Sequence, residues 1–281
     1  MTAILADRVS KTYILRREAR RTLKEVVLRQ YVPAERVNAL TDVSFDVARG
    51  EAFGVIGSNG SGKSTLLKLV AGTSKPTSGR LDVNGRVSAL LELGAGFHPD
   101  FTGRENAYLN GSLLGLSRKQ MDAAMPSIEA FADIGRFFDA SVKTYSSGMY
   151  ARLGFAVAVH LEPDVLLVDE VLAVGDEYFQ HKCFAKIADF RREGRTILLV
   201  SHDLSAVARL CERAMWLDGG RVASVGSVRD VVNAYQRTVG EREQRERAAR
   251  GHGERWGTKD LADVLELIRA TNLPRELAPS L

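Results

Sequence analysis

A glycine-rich stretch between two regular elements is the first feature of this sequence that could do chemistry. It reads GSNGSGKST and fits the pattern G-x-x-x-x-G-K-[ST]. Glycines let backbone N–H groups turn inward around phosphate oxygens, and the N-terminus of a following helix adds partial positive charge. The pattern predicts a phosphate-binding loop made of Gly57, Ser58, Asn59, Gly60, Ser61, Gly62, Lys63, Ser64 and Thr65.

Lys63 and Ser64 have the side chains that such a loop needs to bind a nucleotide. The lysine would reach the β- and γ-phosphates, and the hydroxyl would coordinate Mg²⁺. The alternative is a glycine-rich turn that binds nothing. The strand pattern before the loop and the helix pattern after it favour the phosphate site.

Two adjacent carboxylates end the apolar run VLLVDE at residues 165–170. Asp169 would hold Mg²⁺, directly or through water, and Glu170 would polarise an attacking water as a general base. Adjacent acids at a strand end can also be a solvated turn. The upstream phosphate loop favours the catalytic interpretation.

A third chemical feature lies between these two, in the stretch YSSGMYARLGFAVAVH. Its small residues Ser146, Ser147 and Gly148 precede a helix pattern rich in alanine and valine. A hydroxyl and a backbone N–H at a helix N-terminus can bind a phosphate group. The alternative is a helix N-cap without a ligand.

The elements that must position these residues alternate between strand and helix. Strand patterns occur at residues 3–13, 40–47 and 51–57, and again in VLLVDE, RTILLVSH and AMWLDGG. Residues 100–160 are mostly helical in pattern. Strands that alternate with helices predict a mostly parallel sheet, here with a helical insertion.

Residues 16–31 form a basic amphipathic pattern inserted near the start of the chain. Apolar residues recur at helical spacing, and six cations surround them: Arg16, Arg17, Arg20, Arg21, Lys24 and Arg29. Such a helix can lie at an anionic leaflet or beside a pyrophosphate-linked lipid headgroup. The alternative is a solvated helix packed on its own domain.

Composition narrows the class of protein further. The chain has 281 residues, a net charge of +4 and two cysteines, Cys183 and Cys211, which lack metal-ligand spacing. A disulfide framework and a zinc site are therefore not expected. We expect no secretory leader and no membrane-spanning helix, so that any membrane role is peripheral.

The order of these motifs resembles the ABC ATPase family. Residues 145–149 occupy the place of its LSGGQ signature, where Ser146 and Gly148 match and Tyr145, Ser147 and Met149 depart. The resemblance implies ATP and Mg²⁺ as cofactors and a homodimer of ATPase subunits. It also implies an α/β P-loop NTPase fold of the ABC type: a mostly parallel sheet core, an antiparallel β part and a helical subdomain.

The resemblance assigns roles to further residues by their place in the family's motif order. Asp176 ends the D-loop that communicates across the dimer, and His202 is the switch histidine that contacts the γ-phosphate. Tyr13 matches the aromatic residue on which adenine stacks, with a core or surface tyrosine as the alternative. The glutamine of the Q-loop is missing, because Glu92 is the nearest polar candidate and Leu93 stands in register.

Within the family, LLELGAGFHPDFTGRENAYLNG, YSSGMYARL and DEVLAVGDEYF are similar to polysaccharide exporter ATPases. These are the Wzt type of O-antigen export and the relatives for teichoic acid and actinobacterial galactan. The basic helix is similar to their gate helix. The resemblance implies a lipid-linked polysaccharide substrate, an integral membrane permease, no nucleic acid partner, and a peripheral location at the cytoplasmic face of the inner membrane.

Two alternatives to this function stay open. One is an ABC transporter for another substrate, and the other is a catalytically dead regulatory cassette. Four intact residues weigh against the dead cassette: Lys63, Asp169, Glu170 and His202. The predicted domains are an ATPase domain at 1–240, with its helical subdomain at about 100–160, and a helical tail at 241–281.

Overall fold

The computed structural model describes residues 1–15, 35–90, 94, 96–113, 115–160, 163–169 and 175–251. The basic helix predicted at 16–31 and the amphipathic part of the predicted tail lie outside these residues. The chain separates into two compact units, Met1–Asn233 and Ala234–Leu281. The predicted boundary near residue 240 stays a prediction.

Two sheets are built from the described strands. The strands are β1 (Thr2–Leu15), β2 (Glu35–Ala48), β3 (Ala52–Ile56), β4 (Ser78–Val83), β5 (Val87–Ala89), β6 (Val165–Val168), β7 (Thr196–Val200), β8 (Arg213–Asp218) and β9 (Arg221–Ser227). The smaller sheet is antiparallel with the order β2-β1-β4, and the larger has the order β5-β6-β7-β3-β8-β9. Its strands are parallel except β9, which pairs antiparallel with β8.

Burial explains which sequence patterns form which strands. Every residue of β3, β6 and β7 is buried, as expected for parallel strands whose two faces are both covered. The C-terminal half of β2 instead alternates buried and exposed residues, because only one face of the smaller sheet packs on the core. Phe45 of β2 stacks on Phe53 of β3, with ring centroids 5.7 Å apart.

Helices follow most strands of the larger sheet. They are α1 (Lys63–Val70), α2 (Gly103–Leu113), α3 (Arg118–Ala132), α4 (Ser147–Val159), α5 (Glu177–Arg192), α6 (Leu204–Leu210) and α7 (Val228–Gly251). None of the described helices is long and apolar enough to cross a membrane. The charge-dense stretch after residue 240 is helical up to Gly251, where α7 ends.

Helices α2, α3 and α4 form the expected helical insertion and have a core of their own. Its fully buried members include Met121, Ile128, Phe138, Leu153 and Val157. Helix α3 begins at a capping box, in which Ser117 and Gln120 exchange side-chain and backbone hydrogen bonds. The insertion is therefore a packed subdomain and not an extended loop.

The predicted fold class is confirmed, although three strands were not predicted from the sequence. Strand β4 is exposed in its first half and half-buried in its second, β9 alternates exposed and half-buried residues, and β5 has three residues. Such strands lack the continuous apolar run that marks β3. Their pairing partners in the sheets decide their conformation, because an isolated short segment gains too little from its own propensity.

Candidate active site

Three of the predicted site segments follow neighbouring strands of the larger sheet. Asp169 directly follows β6, His202 comes two residues after β7, and the loop at 57–62 follows β3. These strands are adjacent and parallel, with Val168 opposite Leu199 and Val55 opposite Val200. Their carboxyl ends therefore meet at one edge of the sheet, where open α/β sheets bind ligands.

A cleft of about 480 Å³ opens at this edge, a size typical of small-molecule sites. Its lining combines the glycine-rich loop, the start of α1, one segment of β2 and one carboxylate: Val37, Asn38, Ala39, Asn59, Gly60, Gly62, Lys63, Ser64, Thr65 and Asp169. The tertiary structure thus brings most of the predicted phosphate loop together with Asp169.

Lys63 is only 7% exposed, and the loop's own backbone holds its ammonium group. Its Nζ donates to the carbonyl of Gly57 at 2.8 Å and to that of Ser58 at 3.0 Å. These two bonds offset the cost of burying a charge and use two of the three N–H donors. The third donor remains for a phosphate oxygen.

Gly62 is the N-cap of α1 and has a positive φ of 104°. A Cβ atom here would lie 2.6 Å from the carbonyl oxygen of Ala39 and 2.7 Å from Cδ2 of Leu40. A side chain would therefore be strained in conformation and blocked by β2. The glycine lets the loop pack directly against the strand that forms the other wall of the cleft.

Ser61 belongs to the predicted loop but faces the protein interior. It is 2% exposed, and its Oγ has no hydrogen-bond partner among the described residues. Its carbonyl accepts a 3.1 Å bond from the backbone N–H of Gly220, which follows β8. Ser61 therefore joins the loop to β8 through its backbone.

The residues at the cleft fit a magnesium ion. Ser64 and Asp169 both line it, and hydroxyl and carboxylate oxygens are ligands that Mg²⁺ accepts together with phosphate oxygens and water. The described residues contain no group of three or more histidine, cysteine, aspartate or glutamate side chains that could hold a metal. A magnesium ion bound here would also take phosphate oxygens and water as ligands.

Tyr13 lies beside the cleft because its strand, β1, pairs with β2 in the smaller sheet. It is directly opposite Val37, which lines the cleft, and directly opposed residues project from the same face of a sheet. The Tyr13 side chain is 37% exposed, and Nζ of Lys11 lies 5.1 Å from its ring centroid. An aromatic surface is thus available next to the phosphate loop.

Ser146 caps the N-terminus of α4, and its Oγ accepts a 3.2 Å bond from the backbone N–H of Met149. Ser147 and Gly148 form the first turn of the helix, with Ser147 exposed. Tyr145 instead packs inward, because its hydroxyl donates to the Phe137 carbonyl at 2.7 Å. Burial raises the pKa of Tyr145 to about 12, so that it stays neutral.

Asp176 is the N-cap of α5, and both of its carboxylate oxygens have partners. Oδ1 accepts from the backbone N–H of Phe179 at 2.9 Å, and Oδ2 accepts from Arg152 Nη2 at 2.8 Å. Sequence reasoning missed Arg152. The signal available was that it is the single charged residue in the otherwise apolar helix α4.

Several predicted positions carry no structural description. Glu170, Glu92 and Leu93 lie outside the described residues, so that their predicted roles stay predictions. His202 is exposed at the end of β7. The loop that contains the Q-loop position is described at Gly94, whose carbonyl accepts a bond from the Tyr150 hydroxyl on α4.

Relatives of known name match most of the chain. A family model described as "ABC transporter" matches residues 40–173. The O-antigen export system ATP-binding protein RfbB of Klebsiella pneumoniae is 46% identical over 236 residues, which cover 82% of this chain and 96% of the relative. The protein of the same name from Myxococcus xanthus is 53% identical over 211 residues, 75% of this chain but only 48% of that protein.

Further similarity comes from a third relative and from a solved structure. The teichoic acids export ATP-binding protein TagH of Bacillus cereus is 47% identical over 198 residues, which cover 70% of this chain and 36% of TagH. The solved structure of the dimeric, post-hydrolysis ATP-binding cassette MJ0796 bound to ADP and Pi superposes with a TM-score of 0.65 at 21% identity. The match covers 80% of this chain and 98% of the MJ0796 chain. The chain therefore belongs to the ABC transporter family and contains that family's ATP-hydrolysing cassette.

Proposed function

We propose that this chain is the ATP-hydrolysing subunit of an exporter that moves a lipid-linked polysaccharide of the O-antigen, teichoic acid or galactan type across the cytoplasmic membrane. The observation that carries the proposal is identity of 46% or more to export-system ATP-binding proteins, over 70% or more of the chain. The O-antigen and teichoic acid types are carried over from the names of these relatives, and the galactan type from the resemblance of the sequence motifs to actinobacterial exporters.

The chain's own residues provide the steps of hydrolysis. Lys63 neutralises charge on the β- and γ-phosphates. Ser64 and Asp169 would hold a magnesium ion, which would supply further positive charge for the phosphate oxygens. Glu170 accepts the proton of the attacking water. His202 contacts the γ-phosphate from the neighbouring strand, and the adenine ring stacks on Tyr13.

A second copy of the chain completes each site. Ser146, Ser147 and Gly148 of one copy bind the γ-phosphate held by the loop of the other, with Asp176 at the junction. The dimeric cassette structures of the same fold support this arrangement. A permease carries the glycan, and the ATPase lies peripherally at the cytoplasmic face of the inner membrane. A nucleic acid partner is not part of the proposal.

Replacement of the general base tests the ATPase proposal. Glu170→Gln leaves the phosphate contacts intact but removes the proton acceptor, so that ATP binding should persist while turnover is lost. Nucleotide titration and phosphate release of the purified protein measure the two properties. Turnover at the wild-type rate would contradict the assignment of Glu170.

Neutralisation of the basic segment tests the export proposal. Each cation near an anionic surface contributes on the order of 1 kcal/mol of attraction. Four such cations together should attract the anionic headgroup of a lipid-linked substrate. We expect glutamine at Arg16, Arg17, Arg20 and Arg21 to preserve ATP hydrolysis by the purified subunit but to lower glycan export by the assembled transporter. Wild-type export with the variant present at the membrane would show that the basic segment is only a solvated face, so that it would no longer support the choice of substrate.

A further inference from the structure

Arg152 lies where three helices of the structure meet. It belongs to α4, whose N-terminus carries the signature residue Ser146, and its side chain is 16% exposed. Its guanidinium carbon lies 4.9 Å from the ring centroid of Phe179 on α5, and Phe179 is fully buried. The charge is therefore held against an aromatic face and not in open solvent.

The guanidinium group makes two directed contacts from this position. Nη2 donates to Oδ2 of Asp176 at 2.8 Å, and Nη1 donates to the backbone carbonyl of Asp133 at 3.2 Å. Asp133 is the C-cap of α3, and Asp176 is the N-cap of α5. One side chain of α4 thus ties together the end of α3 and the start of α5.

Asp176 is fixed from its other side as well. Its Oδ1 accepts from the backbone N–H of Phe179 at 2.9 Å, which caps α5. The same aromatic residue packs on α4 through Phe155, with ring centroids 6.1 Å apart. The start of α5 is consequently held to α4 by an ion pair and by ring packing, and the carboxylate of the ion pair also caps α5.

We propose that Arg152 is a positioning residue that keeps the N-terminus of α5 in register with the signature at the N-terminus of α4. The inference rests on the ATP hydrolysis proposed above, because α5 follows the proposed general base, Glu170, in the chain. On this proposal Asp176 acts through its bond to Arg152 and its cap, and not by touching the nucleotide.

Two conservative substitutions separate the ion pair from the cap. Arg152→Lys keeps the positive charge but lacks the planar fork that reaches both partners. Asp176→Asn can still cap α5 but no longer carries a charge for Arg152. We expect each to lower kcat for ATP by roughly fivefold or more while KM stays within about twofold, the size of a typical coupling between sites.

The double variant decides whether the two residues act as one unit. If Arg152 and Asp176 act through their mutual bond, the double variant should be no slower than the slower single variant. If the fold-loss of kcat in the double variant equals the product of the two single losses, the inference is overturned. Asp176 would then have an independent role, such as contact with the nucleotide.

Arg104 offers a matched control in the same subdomain. Its guanidinium lies 4.8 Å from the Phe138 ring centroid and pairs with Glu129 at 2.9 Å and Asp139 at 2.7 Å. All three of these partners lie within the helical subdomain. Arg104→Lys should therefore cost comparable stability and leave kcat unchanged, and an equal loss of kcat in both variants would reduce Arg152 to a general structural role.

Hydrogen exchange gives a second readout that does not depend on turnover. Arg152→Lys should accelerate amide exchange in peptides covering residues 175–179, and Arg104→Lys should not. Unchanged exchange there would overturn the inference even if kcat fell. Accelerated exchange in a chain whose wild-type form hydrolyses no ATP would support the positioning role and contradict the proposed function instead.

Discussion

The hydroxyl of Tyr150 donates a 2.8 Å hydrogen bond to the backbone carbonyl of Gly94, 56 residues earlier in the chain. Gly94 has a φ of 80°, and a Cβ atom at this position would lie 2.3 Å from Cε1 of Tyr150. The aromatic ring of Tyr150 also packs on Phe97, with centroids 5.2 Å apart. The loop that lacks the family's glutamine is therefore fastened to the helix that begins at the signature.

Tyr150→Phe should weaken this connection while preserving the ring. Loss of one hydrogen bond should lower the free energy of unfolding by about 1 kcal/mol, and loosening of the loop should lower kcat for ATP with little change in KM. Urea unfolding and steady-state phosphate release measure the two effects. Tyr108→Phe is the control, because it also loses a hydroxyl bond, at 2.6 Å to Asp122, but within the helical subdomain. Equal kcat values for both variants would show that the Tyr150 bond only stabilises the fold.

Lys63→Ala should weaken nucleotide binding itself. The ammonium is held in the loop by two carbonyls and keeps one donor for phosphate, and hydrogen bonds to charged groups contribute about 1.5 to 3 kcal/mol. We expect the Kd for ATP, measured by calorimetric titration, to rise by about 10- to 100-fold. Lys68 is an exposed lysine on the same helix, and Lys68→Ala should retain the wild-type Kd. An unchanged Kd in Lys63→Ala would exclude this loop as the ATP site.

Ser146→Arg should test whether sites are shared between two copies. The bulky cation would displace the helix cap and block the signature surface, while the phosphate loop of the same chain stays intact. Mixing this variant with Glu170→Gln should leave at most one site per heterodimer with both an intact signature and an intact general base. We expect a mixture whose ATPase rate depends on total protein concentration. A rate per chain independent of concentration would argue against the dimer.

The half-buried His160 predicts a pH dependence of stability. Burial lowers its pKa below the ordinary value, its Nδ1 lies 2.7 Å from the Ala156 carbonyl, and Lys182 and Lys186 lower the pKa further. The neutral form is thus favoured in the folded chain. Its full contribution to stability is present above the unfolded pKa of about 6.5, and it is lost as the pH falls through the lower folded pKa. His160→Gln should therefore reduce the decrease in urea midpoint between pH 7.5 and pH 5.5, and an identical decrease would contradict this origin.

The sequence by itself determined the motifs, the class of fold and the order of the main elements. The loop at 57–65 needs a strand before it and a helix after it, and both patterns are local: β3 is a continuous apolar run, and α1 has helical spacing. Local patterns of this kind depend on residues a few positions apart, so that a single sequence displays them. The helical insertion was predictable for the same reason.

Only the tertiary structure decided which distant residues meet. The order β6-β7-β3 places Asp169 and His202 beside the phosphate loop, and the bonds Arg152–Asp176 and Tyr150–Gly94 join segments 24 and 56 residues apart. No local pattern marks these partners, because an arginine or a tyrosine on a helix can bond to many groups with similar energy. The choice follows from which faces are buried together, since packing of α4 against α5 through Phe155 and Phe179 brings Arg152 to Asp176.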